Sequence, residues 1–385
     1  MNIQTYITIA LIVALIGIPS FLFAKKRKGG NSLCLGVGLP KEAPISLLFA
    51  EVKTKPSDYG VWMCMPGWYN GTIDNMERYS SIPKCPKSFK CVWAALTEKK
   101  VYEVNVEFPA EMIEKITHDM EEGFVNKFGE RTTYSYFKAA LFPGGVVRFH
   151  LLSSGKIESL DYSFQGKFTS EYDNDFLRRI NDGEPPYDDV IEDYHNNYYE
   201  PFDENDPNDN TSILPEAEYV NNVGLPNKIW DRYYTRYNYR IRFSFEDPES
   251  YLYFWSPKFT NAEKFSCQSG VNDDIVIQHP ATICSMNMWF QDKEYRYTSY
   301  FYFNEEEMLP LFEKAFAAHP DQEGELHVRV NDTSVEVSLN FGEEKYQIQK
   351  TEIRVFRDPL SNLRGESELI YKNYEGDHKN EFKGL

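Results

Sequence analysis

The chain has 385 residues and a formal charge of −18 at pH 7, a length that suits two domains better than one. Aromatic residues make up 16% of it, with 27 Tyr and 27 Phe; such side chains fit a pleated, half-buried sheet better than a helical bundle. The acidic excess excludes nucleic acid as the main partner, because phosphate binding needs a basic face.

Residues 6–24 read YITIALIVALIGIPSFLFA, without a charge, and Lys25-Lys26-Arg27-Lys28 follow at once. At about 1.5 Å per residue the run nearly crosses a hydrocarbon core of about 30 Å. The segment 1–30 is therefore expected to be a transmembrane anchor with a basic flank. Basic clusters stay on the cytoplasmic side, so the rest of the chain is placed at the cytoplasmic face of a bacterial inner membrane, single-pass. The competing reading is a cleaved signal ending near Ala24. A signal usually carries its charge before the apolar run, and four cations just after cleavage resist translocation. Cys34 lies beyond the basic cluster and is not placed as a lipidated cysteine.

Residues 31–170 and 219–360 are expected to be two lobes, each an antiparallel sheet with a packed helix, in an α+β arrangement, and 361–385 a C-terminal tail. Tyr102, Val104, Val106 and Phe108 alternate with Glu103, Asn105 and Glu107, the period of a strand with one buried face. Met112, Ile113, Ile116 and Met120 then fall on one helical stripe. Pro109 suits the helix start. In the second lobe Tyr295, Tyr297, Phe301 and Phe303 share a strand face, and Met308, Leu309, Phe312 and Phe316 a helix stripe. Asn304 is placed as its N-cap, before three glutamates that favour the helix dipole. Trp93 to Met112 and Trp289 to Met308 have the same separation, and the aromatic run before Pro66 resembles that before Pro257. The two lobes thus read as copies. Ser154-Gly155 and Asn331-Asp332 are hairpin turns, and Gly144-Gly145 a tight turn entering a strand.

Residues 171–218 contain sixteen acidic residues against Arg178 and Arg179. Prolines and Asn-Asp runs deny this stretch a continuous helix or central strand, so it reads as a linker. It is either a solvated connector or an acidic, tyrosine-bearing surface for a basic partner. Its candidate contact residues are Tyr187, Asp188, Asp189, Glu192, Asp193, Tyr194, Tyr198 and Tyr199. Trp62 and Trp68 are candidates on the first lobe, with a core role as the plainer reading of Trp62.

Catalytic patterns are missing. There is no H-E-x-x-H, nucleophile elbow, Walker loop or dinucleotide fingerprint in the chain. His150 and His327 sit in strand patterns as packing or surface residues. The six cysteines permit local disulfides outside the cytoplasm, Cys85–Cys91 or Cys267–Cys284, or stay reduced inside it; without a Cys/His quartet no zinc site is expected. The oxygen-rich run 203–210 lacks the EF-hand glycine and distal glutamate. No metal or cofactor is expected.

Trp93, then KKVYEVNVEFPAEMIEKI, then AALFPGGVVRFHLLSSG carry a resemblance over residues 92–154. The stretch resembles the bacterial lipoproteins of domain of unknown function 2931 (DUF2931). That resemblance implies an immunity protein paired with a type VI secretion effector, often a lipase acting in the periplasm, and hence a periplasmic face as the alternative location. The Pro-Gly-Gly turn has no copy in the second lobe. The expected function is a membrane-tethered, non-enzymatic protein that binds and neutralises a secreted antibacterial effector. The alternative is an envelope-associated hydrolase or glycan-binding protein with a site between the lobes.

Overall fold

A computed structural model describes residues 33–38, 45–54, 61–63, 68–69, 80–82, 85–95, 98, 100–171, 228–271, 279–331, 334–361, 367–380 and 382. The expected transmembrane segment lies outside them. Among the described residues no helix is long and apolar enough to cross a membrane.

The first half contributes β1 (Leu33–Gly38), β2 (Ile45–Lys53), β3 (Val61–Met63), β4 (Trp68–Tyr69), β5 (Ser80–Ile82), β6 (Ser88–Ala95) and β7 (Lys100–Glu107). Helix α1 (Ala110–Glu122) follows, then β8 (Phe124–Val125), β9 (Arg131–Thr132), β10 (Tyr136–Leu141), β11 (Val146–Ser153), β12 (Lys156–Gln165) and β13 (Lys167–Glu171). The second half opens with α2 (Lys228–Tyr234), β14 (Tyr239–Phe245), β15 (Tyr251–Phe259), β16 (Lys264–Phe265), β17 (Cys267–Gln268), β18 (Ile283–Gln291) and β19 (Tyr295–Tyr302). It closes with α3 (Glu305–Ala318), β20 (Gly324–Val330), β21 (Val335–Phe341), β22 (Glu344–Ile348), β23 (Glu352–Pro359) and β24 (Glu368–Lys372). The protein is mostly β with few, short helices, which corrects the expectation of one sheet and one packed helix per lobe. Each half instead faces two sheets against each other over its own core.

The local signals read from the sequence fall where their physics puts them. Tyr102 and Val104 are buried along β7 and Phe108 just beyond it, and Met112, Ile116 and Met120 along α1. Burying a side chain of that size contributes about 2 kcal/mol. Asn304 caps α3, its side chain accepting from the Glu307 N–H. Pro109 caps α1 instead of occupying its first turn, with an extended φ of −55° and ψ of 150°. Gly144 and Gly145 take φ of 75° and 81°. A Cβ on Gly145 would sit 2.7 Å from the Tyr102 ring, so the turn is fixed by the close approach of β7 as well as by its backbone conformation.

The pairing order is the same in both halves. In the first, β2, β6, β7 and β13 are neighbours in one sheet, and β1, β10, β11 and β12 in another. In the second, β15, β18, β19 and β23 correspond to the former, and β14, β20, β21 and β22 to the latter. In both, the first strand runs parallel to the strand after the helix: β1 beside β10, β14 beside β20. This corrects the purely antiparallel expectation. Parallel neighbours need a long crossover between them, which the strands and helix between β1 and β10 and between β14 and β20 supply.

Two expected correspondences also fail. Trp93 is buried in the first core, whereas Trp289 is half-buried and alternates with the inward Met288 and Phe290. Equal spacing placed them on corresponding strands, β6 and β18, but on opposite faces. The segment 252–257 lies in β15, whose counterpart is β2 and not the β3 segment holding Trp62. A short aromatic run does not specify its pairing partner.

One sheet of each half is fused into a twelve-stranded sheet through β16, which pairs with both β12 and β15. Beyond residue 360, where a tail was expected, β24 forms the free edge of this sheet and Phe382 is buried in the second core. At β24, Val355 pairs with Tyr371 and Phe356 with Leu369, which leaves Ile370 as a bulge.

Candidate functional site

Two features stand out against this scaffold: an aromatic outer face on the second half, and a buried polar seam between the halves. Along β18 and β19 alternate residues point inward, so Trp289, Arg296, Thr298, Tyr300 and Tyr302 stand on the outer side. Trp289 is opposite Thr298, and Thr298 opposite Phe356 of β23, which links the row across three strands. At one end the Trp289 ring lies 4.6 Å from Phe254 and stacks with Tyr253 at 6.4 Å. The Arg296 guanidinium lies 4.9 Å over Tyr253. At the other end Arg354 lies 4.7 Å over Tyr300 and 5.7 Å from Phe356. The first half reaches this face with its β8–β9 hairpin: Lys127 sits 5.5 Å over Phe254, beside Phe128, which is 72% exposed.

The seam is built from β11 and β12 on one side and α2 and the 260–263 turn on the other. Arg236 uses all five of its N–H donors. Nε and Nη2 donate to Asp161 at 2.9 and 2.7 Å. Nη1 and Nη2 donate to Glu263 at 3.1 and 2.7 Å, and Nη1 also donates to the His279 carbonyl at 3.0 Å. Glu263 is 3% exposed and also accepts from the Ser159 N–H. The non-glycine residues with positive φ among the described residues are Asp161 (58°), Ala262 (64°) and His279 (47°). Two of them are partners of Arg236 and the third adjoins Glu263. Such backbones cost about 1–3 kcal/mol each and persist where surrounding contacts over-determine them.

His150 is fully buried, with Nε2 3.0 Å from the Asn261 carbonyl and 3.1 Å from the Tyr234 hydroxyl. A carbonyl only accepts, so Nε2 carries the proton. Burial, helped by the Lys138, Arg148 and Arg236 charges, holds its pKa down at about 3 against the opposing Asn261 bond. Arg148 stacks 4.0 Å over the Tyr234 ring and pairs with Asp231 at 2.8 Å. His150, Tyr234 and Glu263 are buried, while Asp161, Asp231 and His279 reach the surface, so the junction joins the halves through a buried centre with an exposed polar rim. A separate cleft of about 400 Å³ lies within the second half, lined in part by Phe245, Phe290, Tyr297, Asp292 and Arg357.

The acidic contact residues expected from the sequence, Tyr187, Asp188, Asp189, Glu192, Asp193, Tyr194, Tyr198 and Tyr199, lie outside the described residues, as does the 203–210 run. Trp62 and Trp68 lie on β3 and β4, which both pair with β2. Cys34, Cys85, Cys91, Cys267 and Cys284 form no disulfide with one another. No group of His, Cys, Asp or Glu among the described residues could hold a metal ion. The outer-face residues Arg296, Tyr300, Arg354 and Phe356 went unread in the sequence. Their signal was present in β19, where Tyr300 and Tyr302 are aromatic on the phase that a one-sided strand gives to polar residues.

Residues 26–200 match the family described as Protein of unknown function (DUF2931). The first half therefore carries a DUF2931 domain, over a longer span than residues 92–154. No curated protein and no solved structure matches the chain.

Two outcomes are expected of the seam. Arg236→Gln leaves Glu263 buried without its cation and should cost about 3–5 kcal/mol in urea unfolding, whereas the double change Arg236→Leu with Glu263→Leu should recover much of it. An unfolded histidine titrates near 6.5 and the folded one near 3. Below 6.5 the unfolded chain therefore binds the extra proton, and stability falls with pH by up to about 1.4 kcal/mol per unit. Glu158 acts in the same direction. Burial raises its pKa, but Lys156, Lys115 and the Tyr134 hydroxyl outweigh burial and hold it at about 2, so its contribution is present above 4.5 and lost as pH falls towards 2. His150→Asn should flatten the stability profile between pH 6.5 and 4.5, where Glu158 contributes little; an unchanged slope there refutes the assignment.

Proposed function

We propose that the chain is a membrane-tethered, non-enzymatic binding protein that neutralises a secreted antibacterial effector, such as a type VI lipase. The observation carrying this reading is the outer face of β15, β18, β19 and β23. It gathers Trp289, Tyr253, Tyr300 and Phe356 with Arg296 and Arg354 on one rigid sheet. Trp, Tyr and Arg are the residues that dominate binding energy at protein interfaces. The resemblance to DUF2931 lipoproteins supports the effector as partner, and the repeated pairing order supports descent of both lobes from one duplicated unit. The acidic segment 171–218, including Tyr187 to Tyr199, serves capture: charge raises encounter rates more than it raises affinity.

In this reading residues 6–24 anchor the chain in a bacterial inner membrane and the lobes face the cytoplasm, because Lys25 to Lys28 resist translocation. Alkaline phosphatase fused to the C-terminus should be inactive; activity would place the lobes in the periplasm instead. The function itself is tested by competition. Cells lacking this gene should lose survival when grown against sister cells with an active secretion system, and regain it when the gene is restored. Equal survival with and without the gene would refute the immunity reading.

A further inference from the structure

The outer face that supports the binding reading also carries a charge pattern, which specifies its partner further. Arg296 makes no hydrogen bond or ion pair among the described residues. Its contact is the Tyr253 ring, and its Nε is buried without a partner. Asp358 stands opposite it in register, but the Asp358 carboxylate accepts from Ser367. Arg354 donates to the Tyr302 hydroxyl at 3.0 Å and among the described residues has no carboxylate partner, and its Nε is likewise buried and unpaired. Lys127 lies over the Phe128 and Phe254 rings and forms no ion pair among the described residues. Among the described residues these three cations form no ion pair, in a chain whose formal charge is −18.

The first half supplies an internal comparison. On its corresponding sheet, β2, β6 and β7, the outward cations are neutralised: Lys90 pairs with Glu103 at 3.4 Å and Lys53 with Glu51 at 3.6 Å. Elsewhere on the second half Arg240 pairs with Glu325, Arg232 with Glu313 and Arg357 with Glu368, while Arg329 of β20 forms no ion pair among the described residues. What sets this face apart is that flanking rings hold both guanidinium planes, while neither forms an ion pair among the described residues. A planar guanidinium held on an aromatic ring presents a pre-organised fork for a carboxylate.

We infer that this face seats an acidic, aromatic-bearing polypeptide segment of the partner, with carboxylates on Arg296 and Arg354 and rings against Trp289 and Tyr300. The inference rests on the binding-protein reading above and names the chemistry of the surface that would be anchored here. The sequence alone pointed only to a basic partner for the acidic segment. The two features together describe an effector with basic and acidic patches.

The test uses the full chain and a fluorescein-labelled decapeptide of alternating Glu and Tyr, with the Lys/Tyr peptide as its opposite. Anisotropy should show binding of the acidic peptide alone, weakened by salt. Arg296→Gln with Arg354→Gln should weaken it about tenfold or more, while Lys90→Gln, on the corresponding face of the first half, should not. Should the double variant fail to fold by circular dichroism, Arg296→Gln alone carries the comparison, since that guanidinium makes no hydrogen bond. Binding unaffected by the arginine changes, or no binding of the acidic peptide, overturns the inference. Attachment to anionic vesicles without peptide binding overturns it in favour of a lipid surface, and self-association without peptide binding in favour of a second copy. The two readings fail separately. A chain that protects cells regardless of both arginine changes refutes the acidic partner alone. One that binds the peptide through the arginines but protects no cell refutes the immunity reading alone.

Discussion

Arg236 holds the molecule's two halves in one arrangement. Its guanidinium is saturated by a first-half carboxylate, Asp161, a second-half carboxylate, Glu263, and the His279 carbonyl. Replacing water around such a group is favourable only when each donor finds an acceptor in good geometry, and that condition fixes where β12, the 260–263 turn and residue 279 stand relative to one another. The left-handed backbones at Asp161, Ala262 and His279 follow from it. Each is unfavourable alone and is set by the need to bring an acceptor to the same cation.

With the halves locked, the outer face becomes one surface. The β8–β9 hairpin can place Lys127 over Phe254 only because the first half is held against β15. The same rigidity suits binding. A face with rings already stacked loses little side-chain freedom on contact, so more of the interaction appears as affinity. The polar groups of the seam act as positioning elements for this surface, with His150 and Glu263 buried at their centre.

Much of the local structure was legible in the residues. The alternation through Tyr102, Val104 and Phe108, the stripe of Met112, Ile116 and Met120, and the cap at Asn304 are short-range patterns with short-range causes, and the structure realises each of them. Pairing was less legible. That β1 lies parallel to β10, and that β16 fuses sheets of different halves, depends on contacts between residues distant in sequence. The matched spacing of Trp93 and Trp289 misled on facing, since a shift of one residue in a strand reverses its side. The binding face was missed for a related reason. Arg296 and Arg354 look ordinary in a chain with 41 basic residues, and only the folded structure shows them held on rings with no ion pair among the described residues.

The bulge at Ile370 has a bearing on how the molecule survives at high local concentration. A sheet of twelve strands has two ends, and an open end is a template on which other chains can polymerise. Here one end is β5, only three residues long. The other is β24, which exposes Leu369 and Ile370 at 49% and 43%, side chains that would favour fibril growth on a straight ladder. With Ile370 bulged, the hydrogen-bonding groups along that edge fall out of step and a docking strand cannot zip past it. The wide sheet can therefore be carried by a crowded population of identical molecules without seeding its own aggregation.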